Sequence, residues 1–308
     1  MKKFKIVFAH PFQVELARKI LGKSCVLRFP NTKSNFLSEI EDADVVLTLL
    51  SDRIDAKLLK KAKNVTLIGN YAVGVDNIDL QACKMRGIKV LNTPGVLTRA
   101  TAELSVSLIF SAARRHIEGD DLCRKKQFNG WKPDLLLGVE LLGKSAVIVG
   151  AGRIGNETGR ILSAIGLKVS KINSKTSIRE INSKLKMADV ISIHLPGGSS
   201  THHWLNKKRI ALLKPTCIVV NTGRGTSIDE AALTDALSKK RIFAAGLDVY
   251  EFEPKIQKQL LKLRNVTLLP HLGSATIETR RKMAELLFTG VLGVLSGKGA
   301  ANQVRIDS

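Results

Sequence analysis

Residues 145–155, SAVIVGAGRIG, decide how the rest of the chain is read. A short apolar run leads directly into Gly150, Gly152 and Gly155 in the spacing GxGxxG, and a helical pattern follows. In that context each glycine has its own reason. Gly150 permits the tight turn off a strand, Gly152 lets the backbone approach a pyrophosphate, and Gly155 lets the helix pack closely on the strand, while the helix N–H groups face the phosphates. The stretch predicts a dinucleotide-binding βαβ unit that begins in mid-chain, so another domain precedes it.

Working outward, a chain of 308 residues is long enough for two domains, since single cores stop growing beyond roughly 250 residues. The runs FKIVFA, VVLTLL and VTLIGN come before the glycine loop; KVSKI, DVISIHL, CIVVN, FAAGLDV and NVTLLP come after it. They alternate with helical patterns and are nearly continuous in apolar residues, as parallel strands covered on both faces require. Residues 98–115, TRATAELSVSLIFSAARR, predict an apolar helix with Thr98 as N-cap and Arg114 and Arg115 at its end, too short and too interrupted by Arg99 and Glu103 to span a membrane. A last helical pattern over 274–297 can return to the first domain and make it discontinuous. The expected class is α/β: two domains with parallel sheets, a Rossmann-type dinucleotide-binding domain (95–275) inserted in a flavodoxin-like substrate domain (1–94 and 276–308).

Composition excludes several alternatives. The hydrophobic fraction of 44% with no low-complexity tract argues against disorder, and no repeat points to a solenoid. Cys25, Cys83, Cys123 and Cys217 form no CxxC pattern, so buried free thiols are expected rather than a zinc site or a disulfide framework. The apolar run of MKKFKIVFAHP is too short for a signal core or a membrane span, which leads to the expectation of a soluble, cytoplasmic protein. The formal charge of +22 raises a nucleic-acid hypothesis. Against it, the excess is spread at nearly equal density over 95–275 and the remainder. Runs such as Arg124-Lys125-Lys126 and Lys207-Lys208-Arg209 also interleave with few aromatics. They read as solvated faces that steer anionic ligands, and no nucleic-acid partner is expected.

About 20 residues after the glycine loop, an NAD site presents an acid to the ribose hydroxyls. Here KINSKT, 171–176, offers Asn173, Ser174 and Lys175. Two uncharged donors and one cation suit a 2′-phosphate, which a carboxylate would repel. NADP is therefore the preferred cofactor and NAD the alternative.

Three later pieces fall at the carboxyl ends of expected strands, where open α/β sheets bind ligands. They are NTGRG (221–225) with Arg224, GLDVYEFEP (246–254) with Asp248 and Glu253, and LLPHLGSAT (268–276) with His271. This set fits reduction of a 2-oxo acid. Nicotinamide supplies hydride to the carbonyl carbon. The planar guanidinium of Arg224 pairs with the carboxylate and polarises the carbonyl, and His271 donates the proton while Glu253 orients its ring. No metal is expected: His194, His202 and His203 make no ligand pattern with one another.

The blocks GNYAVGVDNID, NTPGVLTRATAEL, LLGKSAVIVGAGRIG, HLPGGSSTHHWLN, LLKPTCIVVNTGRGTSIDEAAL, GLDVYEFEP and NVTLLPHLGSATIETR, in that order, resemble the D-isomer-specific 2-hydroxyacid dehydrogenases. The resemblance covers nearly the whole chain, and its WKP segment (131–133) and GLDVYEFEP block look most like glyoxylate/hydroxypyruvate reductases. It implies catalytic Arg224, Glu253 and His271, backbone N–H groups of the Ala72-Val73-Gly74 loop offered to the substrate carboxylate, and Arg224 and His271 as further substrate contacts. The implied cofactor contacts are Thr101, Gly150, Gly152, Arg153, Ile154, Gly155, Asn173, Ser174, Lys175, His194, Leu195, Pro196, Thr222, Asp248 and Gly273. It also implies a homodimer, with the 98–115 helix at the interface and Trp131 able to reach the partner's site. Arg99 stands where the family often has an acid. Two alternatives share the fold: a short 3-phosphoglycerate dehydrogenase, and a non-catalytic, dinucleotide-sensing corepressor.

Overall fold

The computed structural model describes residues 3–306, and these fall into two compact units, one formed by residues up to 97 together with those from 275 onward and the other by 98–274. The first unit holds a parallel sheet in the order β2-β1-β3-β4-β5, with β1 Phe4–Phe8, β2 Cys25–Arg28, β3 Val45–Thr48, β4 Leu67–Asn70 and β5 Lys89–Leu91. Its helices are α1 Val14–Leu21, α2 Lys33–Glu39, α3 Ala56–Lys61, α4 Leu80–Met85 and, from the far end of the chain, α11 Ile277–Leu295. The second unit holds α5 Thr98–Ala113, α6 His116–Arg124, α7 Arg153–Ala164, α8 Ile178–Met187, α9 Lys207–Ile210 and α10 Glu230–Ser238. Its parallel sheet runs β11-β10-β9-β8-β6-β7, with β6 Ser145–Val149, β7 Lys168–Ile172, β8 Val190–Ile193, β9 Ile218–Asn221, β10 Ala244–Leu247 and β11 Val266–Leu268.

Both sheets reverse direction of growth once. In the first, the chain steps from β1 to β2 on one side and returns to β3 on the other; in the second it does the same between β6, β7 and β8. The first is the flavodoxin-like order and the second a doubly wound relative with a single strand beyond the glycine-loop strand. The central strands β3, β4, β8, β9 and β10 are buried at every position, which explains their unbroken apolar runs. Burying a Val, Ile or Leu contributes roughly 1.5–3 kcal/mol relative to exposing it, so a strand covered on both faces has no place for a polar alternation. The edge strands β2 and β5 were not among the expected runs. Their four and three residues include exposed Val26, Arg28 and Lys89, which dilute the apolar signal.

The return of α11 is fixed by packing. Phe288, fully buried, lies against Phe8 and Phe12 with ring centroids 6.1 and 5.9 Å apart, and Phe12 stacks on Tyr71 at 4.4 Å. Aromatic pairs of this kind add about 0.5–1.5 kcal/mol beyond burial. The Tyr71 hydroxyl also donates to the carbonyl of Arg280 at the start of α11.

In the second unit, α5 packs on β9, β10 and α7. Gly246 of β10 makes the close approach possible, because a Cβ there would stand 2.9 Å from the Cβ of Leu108. Thr98 is the first helical residue of α5 rather than its N-cap, and the helix ends at Ala113 because Arg115 turns left-handed (φ 55°). Arg99 has a local explanation: its guanidinium donates to Glu103 one turn on (2.5 Å) and to Glu157 of α7 (2.8 Å), tying the two helices. Three cysteines are buried as expected, but Cys123 on α6 is exposed. Among the described residues no helix is long and apolar enough to cross a membrane.

Candidate active site

The glycine loop leaves β6 under tight steric control. Gly150 has φ 91°, and a Cβ there would lie 2.8 Å from the His194 carbonyl oxygen; at Gly155 a Cβ would lie 2.1 Å from the Gly150 carbonyl oxygen. A side chain at either position would push the loop away from β8 or from α7. Gly152 is different: a Cβ would meet nothing within 4 Å, and as the N-cap of α7 it offers no side chain to the helix N–H groups. The first turn, Arg153 and Ile154 onward, carries no acid. An open surface over uncapped N–H groups at the positive end of a twelve-residue helix fits an anionic pyrophosphate.

At the end of β7, Asn173 does not present its amide freely. Its Oδ1 accepts from the Lys175 backbone N–H (2.9 Å) and from Thr176 Oγ1 (3.3 Å), and its own N–H donates to Thr176 Oγ1 (3.0 Å). The side chain closes the turn, as Asx residues do, and leaves Ser174 and Lys175 exposed at the tip.

His194 follows β8 and is enclosed between two hydroxyls, Ser192 Oγ at 2.9 Å from Nε2 and Thr222 Oγ1 at 3.3 Å from Nδ1. Burial holds its pKa down at about 4, so the imidazole is neutral. Thr222 also meets Ser105 Oγ at 2.7 Å, and Ser105 donates to the Thr101 carbonyl at 2.7 Å. Thr101 Oγ1 in turn donates to the carbonyl of Gly273 (2.9 Å). A buried polar chain thus connects the turn after β8 with the turn after β11. Ser105 and Ser192 carried no sequence signal, because a serine inside an apolar run has the same spelling whether or not it is networked. Leu195 is half-buried and Pro196 exposed in the loop that follows.

Arg224, Asp248, Glu253 and His271 sit in the turns after β9, β10 and β11. The Arg224 turn is held by its own carbonyl, which accepts from Ser227 Oγ (2.6 Å) and Asn221 Nδ2 (3.0 Å). Its flanking glycines are required by neighbours. A Cβ at Gly223 would be 2.8 Å from the Leu195 carbonyl oxygen, and one at Gly225 would be 1.9 Å from the carbonyl of Tyr250. The turn bearing Arg224 therefore lies directly on the segment bearing Glu253.

His271 adopts a left-handed backbone (φ 56°) and donates its N–H to the Asp248 carbonyl (2.9 Å). Its Nδ1 lies 2.9 Å from Glu253 Oε2, while Glu253 Oε1 accepts from the Tyr250 N–H at 2.9 Å. Burial pushes the Glu253 carboxyl up, but the His271 hydrogen bond and charge, the Tyr250 N–H and the Arg224 charge outweigh it and hold the group below the ordinary range. Asp248 is buried and accepts from the N–H groups of Leu272 (2.6 Å) and Gly273 (2.8 Å); burial nevertheless pushes its pKa up. Asp248 thereby fixes the loop that carries His271.

In the first unit, Ala72, Val73 and Gly74 follow β4. Their carbonyls accept from Thr93 N–H (2.9 Å), Asn92 Nδ2 (2.7 Å) and Asn70 Nδ2 (2.8 Å) respectively, which fixes the peptide planes. His202 and His203, which form no ligand pattern in the sequence, meet Glu251 in the fold.

The family model of the D-isomer specific 2-hydroxyacid dehydrogenase, NAD binding domain, matches residues 106–273. The glyoxylate reductase of Thermococcus litoralis is 41% identical over 285 residues, covering 88% of this chain and 86% of that protein. Among solved structures, a Thermus thermophilus protein superposes with a TM-score of 0.92 at 35% identity, over 98% of this chain and all of the other. The NADPH-dependent glyoxylate/hydroxypyruvate reductase of Sinorhizobium meliloti, solved with NADP and malonate, gives 0.87 at 25% identity over the full length of both chains. The chain belongs to the D-isomer-specific 2-hydroxyacid dehydrogenases. It is an NAD(P)-dependent oxidoreductase whose cofactor is a nicotinamide dinucleotide.

Proposed function

We propose that the protein reduces small 2-oxo acids of the glyoxylate or hydroxypyruvate type to the 2-hydroxy acids, with NADPH preferred over NADH. The observation that carries this reading is the His271–Glu253 pair at 2.9 Å with Arg224 in the neighbouring turn. The names of the relatives support the substrate class.

When bound, the nicotinamide supplies hydride to the carbonyl carbon. Arg224 holds the substrate carboxylate and polarises the adjacent carbonyl. In the first unit, Ala72, Val73 and Gly74 are the backbone donors that the family resemblance assigns to the carboxylate, and the engaged carbonyls of Ala72 and Val73 fix the peptide planes that carry the N–H groups of Val73 and Gly74. His271 donates the proton to the carbonyl oxygen as the carbon takes the hydride, and Glu253 positions the ring through Nδ1, leaving Nε2 for the substrate. Gly152 and the α7 N-terminus receive the pyrophosphate, Asp248 and Thr101 face the nicotinamide end, and Lys175 with Ser174 takes the 2′-phosphate.

The protein acts as a homodimer in this reading. Support comes from the large apolar side chains exposed along residues 110–142, among them Ile117 (48%), Phe128 (55%), Trp131 (82%), Leu137 (63%) and Leu142 (78%). Exposed apolar surface of this kind is what a partner subunit would cover.

Steady-state kinetics with NADPH and NADH against glyoxylate, hydroxypyruvate, pyruvate and 3-phosphohydroxypyruvate test the proposal. Turnover is expected to be fastest with NADPH and the first two acids. Fastest turnover with the phosphorylated acid would move the assignment to a phosphoglycerate dehydrogenase. No turnover with any pair, accompanied by salt-sensitive DNA binding, would replace the enzyme reading. Lys175→Asp should shift the NADPH-to-NADH preference toward NADH, and an unmoved ratio would remove Lys175 from the 2′-phosphate role.

A further inference from the structure

Two residues before Glu253, at Glu251, the second unit gathers a set of ligating side chains that the reduction does not use. His203 Nε2 stands 2.7 Å from Glu251 Oε1, the His202 ring stacks on the His203 ring at 4.0 Å, and one ligand atom from each of the three residues lies within 4.8 Å of the other two. We propose that His202, His203 and Glu251 form a binding site for one divalent transition-metal cation of the zinc, nickel or copper class.

The chemistry of the donors selects that class. Two imidazoles and one carboxylate suit Zn²⁺, Ni²⁺ and Cu²⁺, whereas Mg²⁺ and Ca²⁺ require oxygen-rich shells. The spacing needs little adjustment. With metal–ligand distances of about 2.0–2.2 Å, two ligands at a tetrahedral angle stand roughly 3.4 Å apart, so the His203–Glu251 pair opens by less than an ångström and His202, whose ligand atom lies within 4.8 Å of the other two, closes by up to about 1.4 Å.

The scaffold is prepared for this. His203 adopts a left-handed backbone (φ 47°) and its N–H donates to the Thr226 carbonyl (2.8 Å), which holds the residue against the turn that follows Arg224. Glu251 is nine-tenths buried and cross-braced to Glu230: the Glu251 N–H donates to Glu230 Oε2 (3.0 Å) and the Glu230 N–H to Glu251 Oε2 (3.3 Å). That arrangement leaves Oε1 facing the histidines. The His203 side chain is one-third exposed, and His202 opens onto a surface depression with Gly198, Ser199 and Thr226, which provides the route of access and room for a water as fourth ligand. A bound cation would cross-link two segments that are separate in sequence, the 198–205 loop and the segment 249–253.

The test uses the full-length protein with any purification tag removed. Cobalt(II), a spectroscopic stand-in for zinc, is titrated while the visible d–d absorption is followed, with isothermal titration of Zn²⁺ in parallel and Mg²⁺ as a control. One equivalent is expected to bind without a thiolate charge-transfer band. Loss of an outer-shell partner alone weakens metal binding roughly 10–100-fold, so loss of a direct ligand in His202→Ala or His203→Gln should weaken Zn²⁺ at least tenfold. His202 is an exposed side chain, so His202→Ala keeps the test valid if His203→Gln fails to fold. Absence of stoichiometric binding, unchanged affinity in His202→Ala, or a thiolate band marking Cys123 as the ligand would each overturn the proposal.

Discussion

His194 should make the second unit lose stability on mild acidification. Its pKa is held down at about 4 by burial, against about 6.5 in an unfolded chain. The unfolded state therefore takes up the proton first as pH falls, and the contribution is fully present above about pH 6.5 and is lost progressively toward pH 4. At 1.36 kcal/mol per pKa unit, the loss between pH 7 and pH 5 comes to about 2 kcal/mol. Protonation also removes the ring's acceptor, so the hydroxyl that donates to the neutral ring must turn its proton elsewhere. The assay is urea unfolding at the two pH values for the parent and for His194→Gln, which keeps an amide in place of the ring but does not titrate. Both tryptophans, Trp131 and Trp204, lie in the unit that carries His194, so fluorescence excited selectively at tryptophan reports on that unit. Every other titrating group is common to the two proteins and cancels in their difference. The parent should lose about 2 kcal/mol more than the variant between pH 7 and pH 5. An equal loss in both would refute the claim that the fold holds His194 as the neutral base.

Other outcomes follow from the same geometry. His271→Asn should lower kcat by roughly 10²–10⁴ while leaving dinucleotide affinity unchanged by titration calorimetry; retained turnover would reject the proton-donor role. Arg224→Ala should reduce kcat/KM by about 100-fold or more, with KM rising, because a charged hydrogen bond to the substrate is lost in ground and transition states alike. Gly152→Ala and Gly225→Ala separate ligand space from packing. The first, in open space, should leave the urea midpoint almost unmoved, within about 0.5 kcal/mol, yet weaken dinucleotide binding. The second forces a Cβ into the Tyr250 carbonyl and should destabilise the fold by about 1–3 kcal/mol or more. The reverse pattern would show that the two glycines have been assigned the wrong reasons.

How much of this was legible beforehand depended on whether the physical cause is local in sequence. The glycine loop was, because turn geometry and helix N–H groups act over eleven residues that can be read together. So were the positions of Arg224, Glu253 and His271, each past an apolar run that forms a strand of the second parallel sheet. Strands β2 and β5 were not, since an edge strand needs apolar residues on one side only and three or four residues give no period to count. The second role of KINSKT was also hidden: the residue pattern offered Asn173 as a cofactor donor, but the fold commits its side-chain oxygen to closing the turn and leaves Ser174 and Lys175 exposed at the tip. The His202–His203–Glu251 set lay furthest from view. Its members are nearly fifty residues apart, and what joins them is the β8–β9–β10 pairing that lays the loop after β8 and the turn after β9 against the turn after β10. A ligand pattern that depends on sheet order has no spacing in the chain, so spacing could neither reveal nor exclude it. The same holds for the hydroxyl chain from His194 through Thr222 and Ser105 to Thr101 and Gly273. These residues come from four elements, and only their convergence distinguishes a positioning network from ordinary buried serines and threonines.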